Sequence, residues 1–173
     1  MTLLEKNIVL IGMPGSGKST SGVLLAKSLG FSFLDTDLLI QQQECMLLQD
    51  IVDALGFFGF IEIEEKMISG LQASNCVIST GGSVIYSEKA MNHLKEIGMI
   101  VYLDVSFSEI MRRIQNISTR GIALKDGQSL ENLYEERRPL YEKYADMTVL
   151  GDNKTVEELV TEIAEKIKTC IRQ

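Results

Sequence analysis

The run Gly12-Met13-Pro14-Gly15-Ser16-Gly17-Lys18-Ser19 constrains this chain more than any other. It fits the spacing G-x-x-x-x-G-K-S/T, and its flanks restrict the fold around it. Ahead of it, Ile8-Val9-Leu10-Ile11 is a β-branched apolar run, as a strand buried on both faces of a parallel sheet should be. Behind it, Val23, Leu24, Ala26, Lys27 and Leu29 continue as a helix that Gly30 stops. A strand, a glycine-rich turn and a helix in that order make a phosphate cradle. Glycines let successive N–H groups turn inward around oxygens where a Cβ would obstruct them, and the helix adds its positive N-terminal dipole. Gly12, Gly15, Ser16, Gly17, Lys18, Ser19 and Thr20 are therefore the candidate nucleotide-binding residues. Lys18 can reach the β- and γ-phosphates of ATP, and the Ser19 hydroxyl can ligate Mg2+.

Strand-like and helix-like segments alternate along the rest of the chain. Residues 31–34, 76–80, 99–103 and 147–150 read as four further strands. Residues 38–43, 47–55, 60–71, 108–116 and 130–144 read as helices, and Pro139 is expected to kink or break the last. Ser87 caps a helix running to Ile97, and Val156, Leu159, Val160, Ile163, Ile167 and Ile171 mark a C-terminal amphipathic helix. Residues 117–128 lack a clean period and contain Gly121 and Gly127, which predicts a mobile lid. Five strands alternating with helices predict a three-layer α/β fold: a five-stranded parallel sheet covered on both faces, in one domain spanning residues 1–173. Ligands in such sheets bind beyond the carboxyl ends of the strands. The glycine-rich loop, Asp35 with Asp37, and Gly81 with Gly82 all fall there.

Composition narrows the class. A net charge of -7 disfavours a general nucleic-acid binder, which needs a basic face. No apolar run approaches the ~20 residues of a membrane span, and the N-terminal residues lack a secretory apolar core, so a cytoplasmic protein is expected. Three cysteines far apart give neither a disulfide framework nor a zinc pattern, and the sole histidine, His93, excludes a multi-histidine metal site.

Asp35 and Asp37 follow a strand end, so their carboxylates should emerge near the phosphates. Asp35 could hold Mg2+ directly or through water. Asp37 either orients or deprotonates an acceptor hydroxyl, or caps the next helix. Arg120 either closes over the transferring phosphoryl group or is a solvated loop residue. Arg137 and Arg138 point about 100° apart on a helix, so one can face the cleft while the other meets solvent.

Taken together, these motifs make the chain similar to the shikimate kinases, small enzymes of the P-loop kinase fold. The likeness rests on residues 12–20, Leu34-Asp35-Thr36-Asp37, Ile63-Glu64-Glu65 and Ser79-Thr80-Gly81-Gly82-Ser83-Val84. It extends through Val101-Tyr102-Leu103, Arg120 and Glu136-Arg137-Arg138-Pro139-Leu140-Tyr141. The resemblance implies transfer of the γ-phosphoryl of ATP to shikimate, with Asp37 at the acceptor hydroxyls and Arg137 at the acceptor carboxylate. Lys18, Asp37 and Arg120 would be catalytic; Gly81, Gly82, Asp37 and Arg137 would hold the acceptor. Ser19 and Asp35 would hold Mg2+, while Arg113, Asn153 and Lys154 would lie on the adenine side. A monomer acting on a small molecule is expected.

Three departures from the family's pattern count against a simple transfer of its function. The family's glutamate and carboxylate-clamping arginine are replaced by Phe57 and Ile61, the glycine triplet is reduced to Gly81-Gly82, and Arg120 is followed by Gly121 rather than proline. Phe57, Phe58 and Phe60 read as packing residues, and Glu62, Glu64 and Glu65 as a solvated helix face. Alternatives to shikimate phosphorylation are a same-fold kinase for homoserine or a sugar acid, and a non-catalytic nucleotide-binding module.

Overall fold

The β-branched run after Lys6 forms β1 (Asn7–Ile11), buried over its whole length at the centre of the sheet. The computed structural model describes residues 6–114 and 122–171. The remaining strands are β2 (Ser32–Asp35), β3 (Cys76–Ser79), β4 (Gly98–Asp104) and β5 (Met147–Leu150). Their order is β2-β3-β1-β4-β5, and every pairing is parallel. The helices are α1 (Lys18–Leu29), α2 (Thr36–Glu44), α3 (Leu48–Ser69), α4 (Glu88–Ile97), α5 (Phe107–Ile114), α6 (Leu130–Tyr144) and α7 (Val156–Ile171).

Successive side chains of a strand point to opposite faces, and β1 feeds two apolar clusters accordingly. Ile8 and Leu10 pack with Leu25 and Ala26 of α1 and with Leu159 and Ile163 of α7. Val9 and Ile11 pack on the other face with Ile68, Met91, Ile110 and Tyr141, from α3, α4, α5 and α6. This is the three-layer α/β architecture expected from the alternation. A smaller third cluster joins Ile40, Ile51, Phe60 and Ala123. It lies away from the sheet and brings α2, α3 and the loop after residue 121 together.

Several boundaries differ from the sequence expectation, each for a local reason. Residues 48–69 are two helical segments that meet at a kink at Gly56, which has φ 68 and ψ -177; the two helices expected there are present but adjoin more closely than 47–55 and 60–71 suggest. That conformation is open to glycine and strained for any other residue. Pro139 does not break α6, which runs on to Tyr144. Pro139 and Glu135 both lie on the exposed face, so the carbonyl that loses its donor meets water. Ser87 does cap α4, accepting from the Ala90 amide at 3.0 Å. Part of the predicted lid, with Arg120, lies outside the described residues.

Candidate active site

The loop after β1 is shaped by its glycines. Gly12 has φ +146, and a Cβ there would stand 2.8 Å from the Leu103 carbonyl oxygen of neighbouring β4. Gly17, at φ 93, starts α1 in the left-handed region. Lys18 is buried and curls back over this loop, donating to the carbonyls of Gly12 and Met13 at 2.8 and 2.9 Å. Its ammonium is thereby held at the mouth of the cradle, beside the N-terminus of α1, where a phosphate anion is favoured.

Asp35 ends β2 and does two things at once. One carboxylate oxygen accepts from the amides of Asp37 and Leu38, capping α2, and the other accepts from the Ser19 hydroxyl at 2.6 Å. The cap on α2 is thus Asp35 and not Asp37, which corrects one of the two readings left open for Asp37. Asp37 sits in the first turn of α2 and lines the cavity in front of the glycine-rich loop. Strand pairing places Asp35 opposite Ser79, whose hydroxyl lies 3.3 Å from that of Ser19. Ser19 and Asp35 present hard oxygens side by side at the edge of the phosphate cradle, a donor set suited to Mg2+. Among the described residues no group of three or more His, Cys, Asp or Glu side chains is gathered as a metal cage. A small cation that keeps its waters and takes phosphate oxygens needs no such cage.

The cavity in front of the loop is closed by the turn after β3. The Gly81 amide donates to the Thr36 hydroxyl at 3.1 Å, and Tyr141 donates to the Gly82 carbonyl at 2.6 Å, so the turn is tied to both α2 and α6. Gly81 must lack a side chain: Asp37 Oδ1 and Glu64 Oε1 both lie within 2.7 Å of where its Cβ would stand. Ser83 follows Gly82 and is buried, donating to Glu64 at 2.7 Å.

Arg137 reaches this cavity from α6 and is 1% exposed. It donates to the Ala123 carbonyl at 3.0 Å and to the Tyr86 hydroxyl at 3.4 Å, with its guanidinium 5.2 Å from the centre of the Tyr86 ring. Arg138 points outward to Asp104 and Glu142, so the expected division between the two arginines holds. Ile61 is half-buried against the third apolar cluster and supplies no donor to the cavity.

Glu64 overturns the expectation of a solvated acidic face. Glu62 is exposed, but Glu64 is 1% exposed behind Gly81, and Oε1 has no hydrogen-bond partner among the described residues. Burial pushes its carboxyl up to about 8, and the neighbouring Asp37 charge acts in the same direction. The Ser83 hydroxyl, Arg137 and Lys18 oppose that rise without cancelling it. Its position was legible: Phe60, Glu64 and Ile68 recur at one helical face, and the other two are core residues. Among the phenylalanines, Phe60 is core, and Phe57 packs edge-on against both Tyr86 and Phe58, although Phe58 is 75% exposed.

A second groove opens on the other side of the loop, lined by Gly15, Gly17, Thr20, Arg113 and Lys154. Arg113 is fixed flat there by Glu109 at 2.7 Å, the Ser16 carbonyl at 3.2 Å and the Gly151 carbonyl at 3.1 Å. Lys154 is paired with Glu162, and Asn153 is exposed with φ 55. The site residues with described positions thus divide between a phosphate cradle, an acceptor-side cavity and a groove beside Arg113.

The model of the shikimate kinase family matches residues 14–168. The shikimate kinase of Rippkaea orientalis is 41% identical, over 96% of this chain and 90% of its own length. That of a Sulfurihydrogenibium species is 38% identical, over 94% and 98%. The structure of shikimate kinase from Acinetobacter baumannii in complex with shikimate superposes with a TM-score of 0.88 at 29% identity, covering 95% of this chain and 93% of that one. Among the described residues no helix is long and apolar enough to cross a membrane.

Proposed function

Since this chain belongs to the shikimate kinase family, we propose that it transfers the γ-phosphoryl group of ATP to a hydroxyl of shikimate, giving shikimate 3-phosphate. The observation that carries this reading is the facing of two half-sites across one cavity. Lys18 and the glycine-rich loop stand on one wall, and Asp37 and Arg137 on the others. Phosphoryl transfer asks mainly for positioning and for neutralisation of charge, and these residues divide that work.

Lys18, with backbone amides of the glycine-rich loop and the start of α1, takes the charge of the β- and γ-phosphates. Ser19 and Asp35 would hold Mg2+, which when bound draws electron density from the phosphate oxygens. Asp37 accepts the proton of the attacking hydroxyl, its position fixed by the cap that Asp35 places on α2. Arg137 receives the acceptor carboxylate, and with Ile61 contributing nothing polar that duty falls on it. Arg120 is assigned to the transferring group on the sequence alone. Arg113, Asn153 and Lys154 are assigned to the adenine side, with the flat Arg113 guanidinium as the supporting feature. We read the chain as one domain, supported by a single sheet and a family match spanning most of its length.

Release of ADP from Mg-ATP in the presence of shikimate, homoserine and a sugar acid separates this reading from its rivals. Turnover with shikimate at micromolar to millimolar concentration is expected. Turnover with another acceptor and none with shikimate would sink the assignment, and nucleotide binding without transfer to any acceptor would favour a non-catalytic module.

A further inference from the structure

Arg137 is the acceptor-side cation, yet it is 1% exposed and two of its three nitrogens already donate within the protein. One nitrogen donates to Ala123, in the loop after residue 121, and Nε donates to the Tyr86 hydroxyl. The third, Nη1, is directed at Gly82 and lies 3.0 Å from where a Cβ there would stand, so glycine keeps that approach open to a ligand. The Tyr86 oxygen can accept from Arg137 because its own proton is committed elsewhere, to Glu136 at 2.5 Å. Glu136 in turn receives Lys125 at 3.0 and 3.2 Å and Gln128 at 3.1 Å, both from the same loop as Ala123.

These bonds run in one direction, from Arg137 into Tyr86, from Tyr86 into Glu136, with Glu136 clasped by the loop. The Tyr86 bond and the two loop donors hold the Glu136 carboxyl below its usual range, so it stays an acceptor. Burial and the same carboxylate raise the Tyr86 hydroxyl, so it stays a donor. Lys125 also lies 5.7 Å from the centre of the Tyr86 ring, on which the Arg137 guanidinium rests as well.

We infer that Tyr86 and Glu136 are positioning residues for acceptor binding: they aim the Arg137 guanidinium into the cavity and couple it to residues 122–128. The inference rests on the reading of Arg137 as the receptor of the acceptor carboxylate. A single cation must then supply orientation that two would share, and the tyrosine–glutamate pair fixes the plane in which it does so.

The test is steady-state kinetics of Tyr86→Phe and Glu136→Gln, with shikimate and ATP varied separately. Loss of the Tyr86 hydroxyl should raise the shikimate KM about 5- to 20-fold, leaving kcat and the ATP KM within about twofold. Glu136→Gln, which keeps the shape and drops the charge, should do the same to a smaller degree. In an Arg137→Lys background the effect of Tyr86→Phe should disappear, because the plane it fixes is gone. An unchanged shikimate KM in Tyr86→Phe, or an equal loss persisting in the lysine background, overturns the inference while leaving the enzyme's function intact. Parallel damage to kcat and to the ATP KM overturns it too, showing a general packing role. Absence of shikimate turnover by the unmodified enzyme overturns the functional reading, and this inference with it.

Discussion

Replacing Glu64 by Gln should remove a pH dependence of stability, leaving the protein nearly unchanged at pH 5 and more stable than the native chain at pH 7. In the native chain the carboxyl is buried behind Gly81 with one hydroxyl partner, and it titrates at about 8 instead of the ordinary 4.5. The folded protein therefore keeps a proton that the unfolded chain releases. Stability is then fully present below about pH 4.5 and declines as pH rises toward 8, because the unfolded state binds fewer protons in that window. Between pH 5 and pH 7 the loss from this one group comes to about 2–3 kcal/mol, at ~1.4 kcal/mol per unit over the part of the shift that lies in that interval. Glutamine reproduces the neutral acid: its carbonyl can take the Ser83 hydroxyl and its amide the place of the acid proton. Other titrating groups are common to both proteins and cancel in the difference. Urea unfolding at the two pH values measures it, followed by far-UV circular dichroism because the chain has no tryptophan. The stability of Glu64→Gln relative to the native protein should improve by that amount on going from pH 5 to pH 7. A relative stability that is the same at both would mean that Glu64 titrates as an ordinary carboxylate, and the account of a neutral buried acid would be wrong.

Arg120→Ala should lower kcat by ~10³ if the side chain meets the transferring group as arginine fingers do, whereas a loss below about tenfold returns it to the status of a loop residue. Ile61→Arg places a cation one helical turn from Glu64; the shikimate KM should fall about tenfold, and the alkaline loss of stability assigned to Glu64 should shrink. An unmoved KM would show that position 61 does not face the acceptor. Gly12→Ala forces a Cβ to 2.8 Å from the Leu103 carbonyl at φ +146 and should destabilise by about 2 kcal/mol or more, measured as a lowered Tm. A change within about 0.5 kcal/mol would contradict the argument that this glycine is sterically required.

What could be read from the sequence was whatever depends on short-range pattern. The strand, loop and helix around Lys18 were legible because glycine placement, β-branching and helical period all act within a few residues. The Ser87 cap was legible for the same reason. Glu64 was missed because its neighbours Glu62 and Glu65 made the segment look solvated, although the spacing of Phe60 and Ile68 marked its face as buried. The continuity of α6 through Pro139 depended on which side of the helix met water, which is settled only by packing against the sheet. The bond from Tyr86 to Glu136 joins residues 50 apart, and no local rule brings them together. Asp35 was placed at the metal side on its position after a strand, but its second task as the α2 cap needed the orientation of both oxygens.

That second task limits how such a protein can diversify. One carboxylate sets both the oxygen that meets Ser19 and the starting angle of the helix that carries Asp37. Lengthening or removing it would disturb donor and acceptor chemistry together, so substitutions at 35 offer no route to a new substrate. Variation free of that linkage lies on α3 and the turn after β3. Ser83 lines the cavity and Glu64 stands behind Gly81, so changes there alter charge and shape beside the cavity while the phosphate side stays in register. Two of the three departures expected from the resemblance, at Phe57 with Ile61 and in the Gly81-Gly82 run that Ser83 follows, fall on these elements.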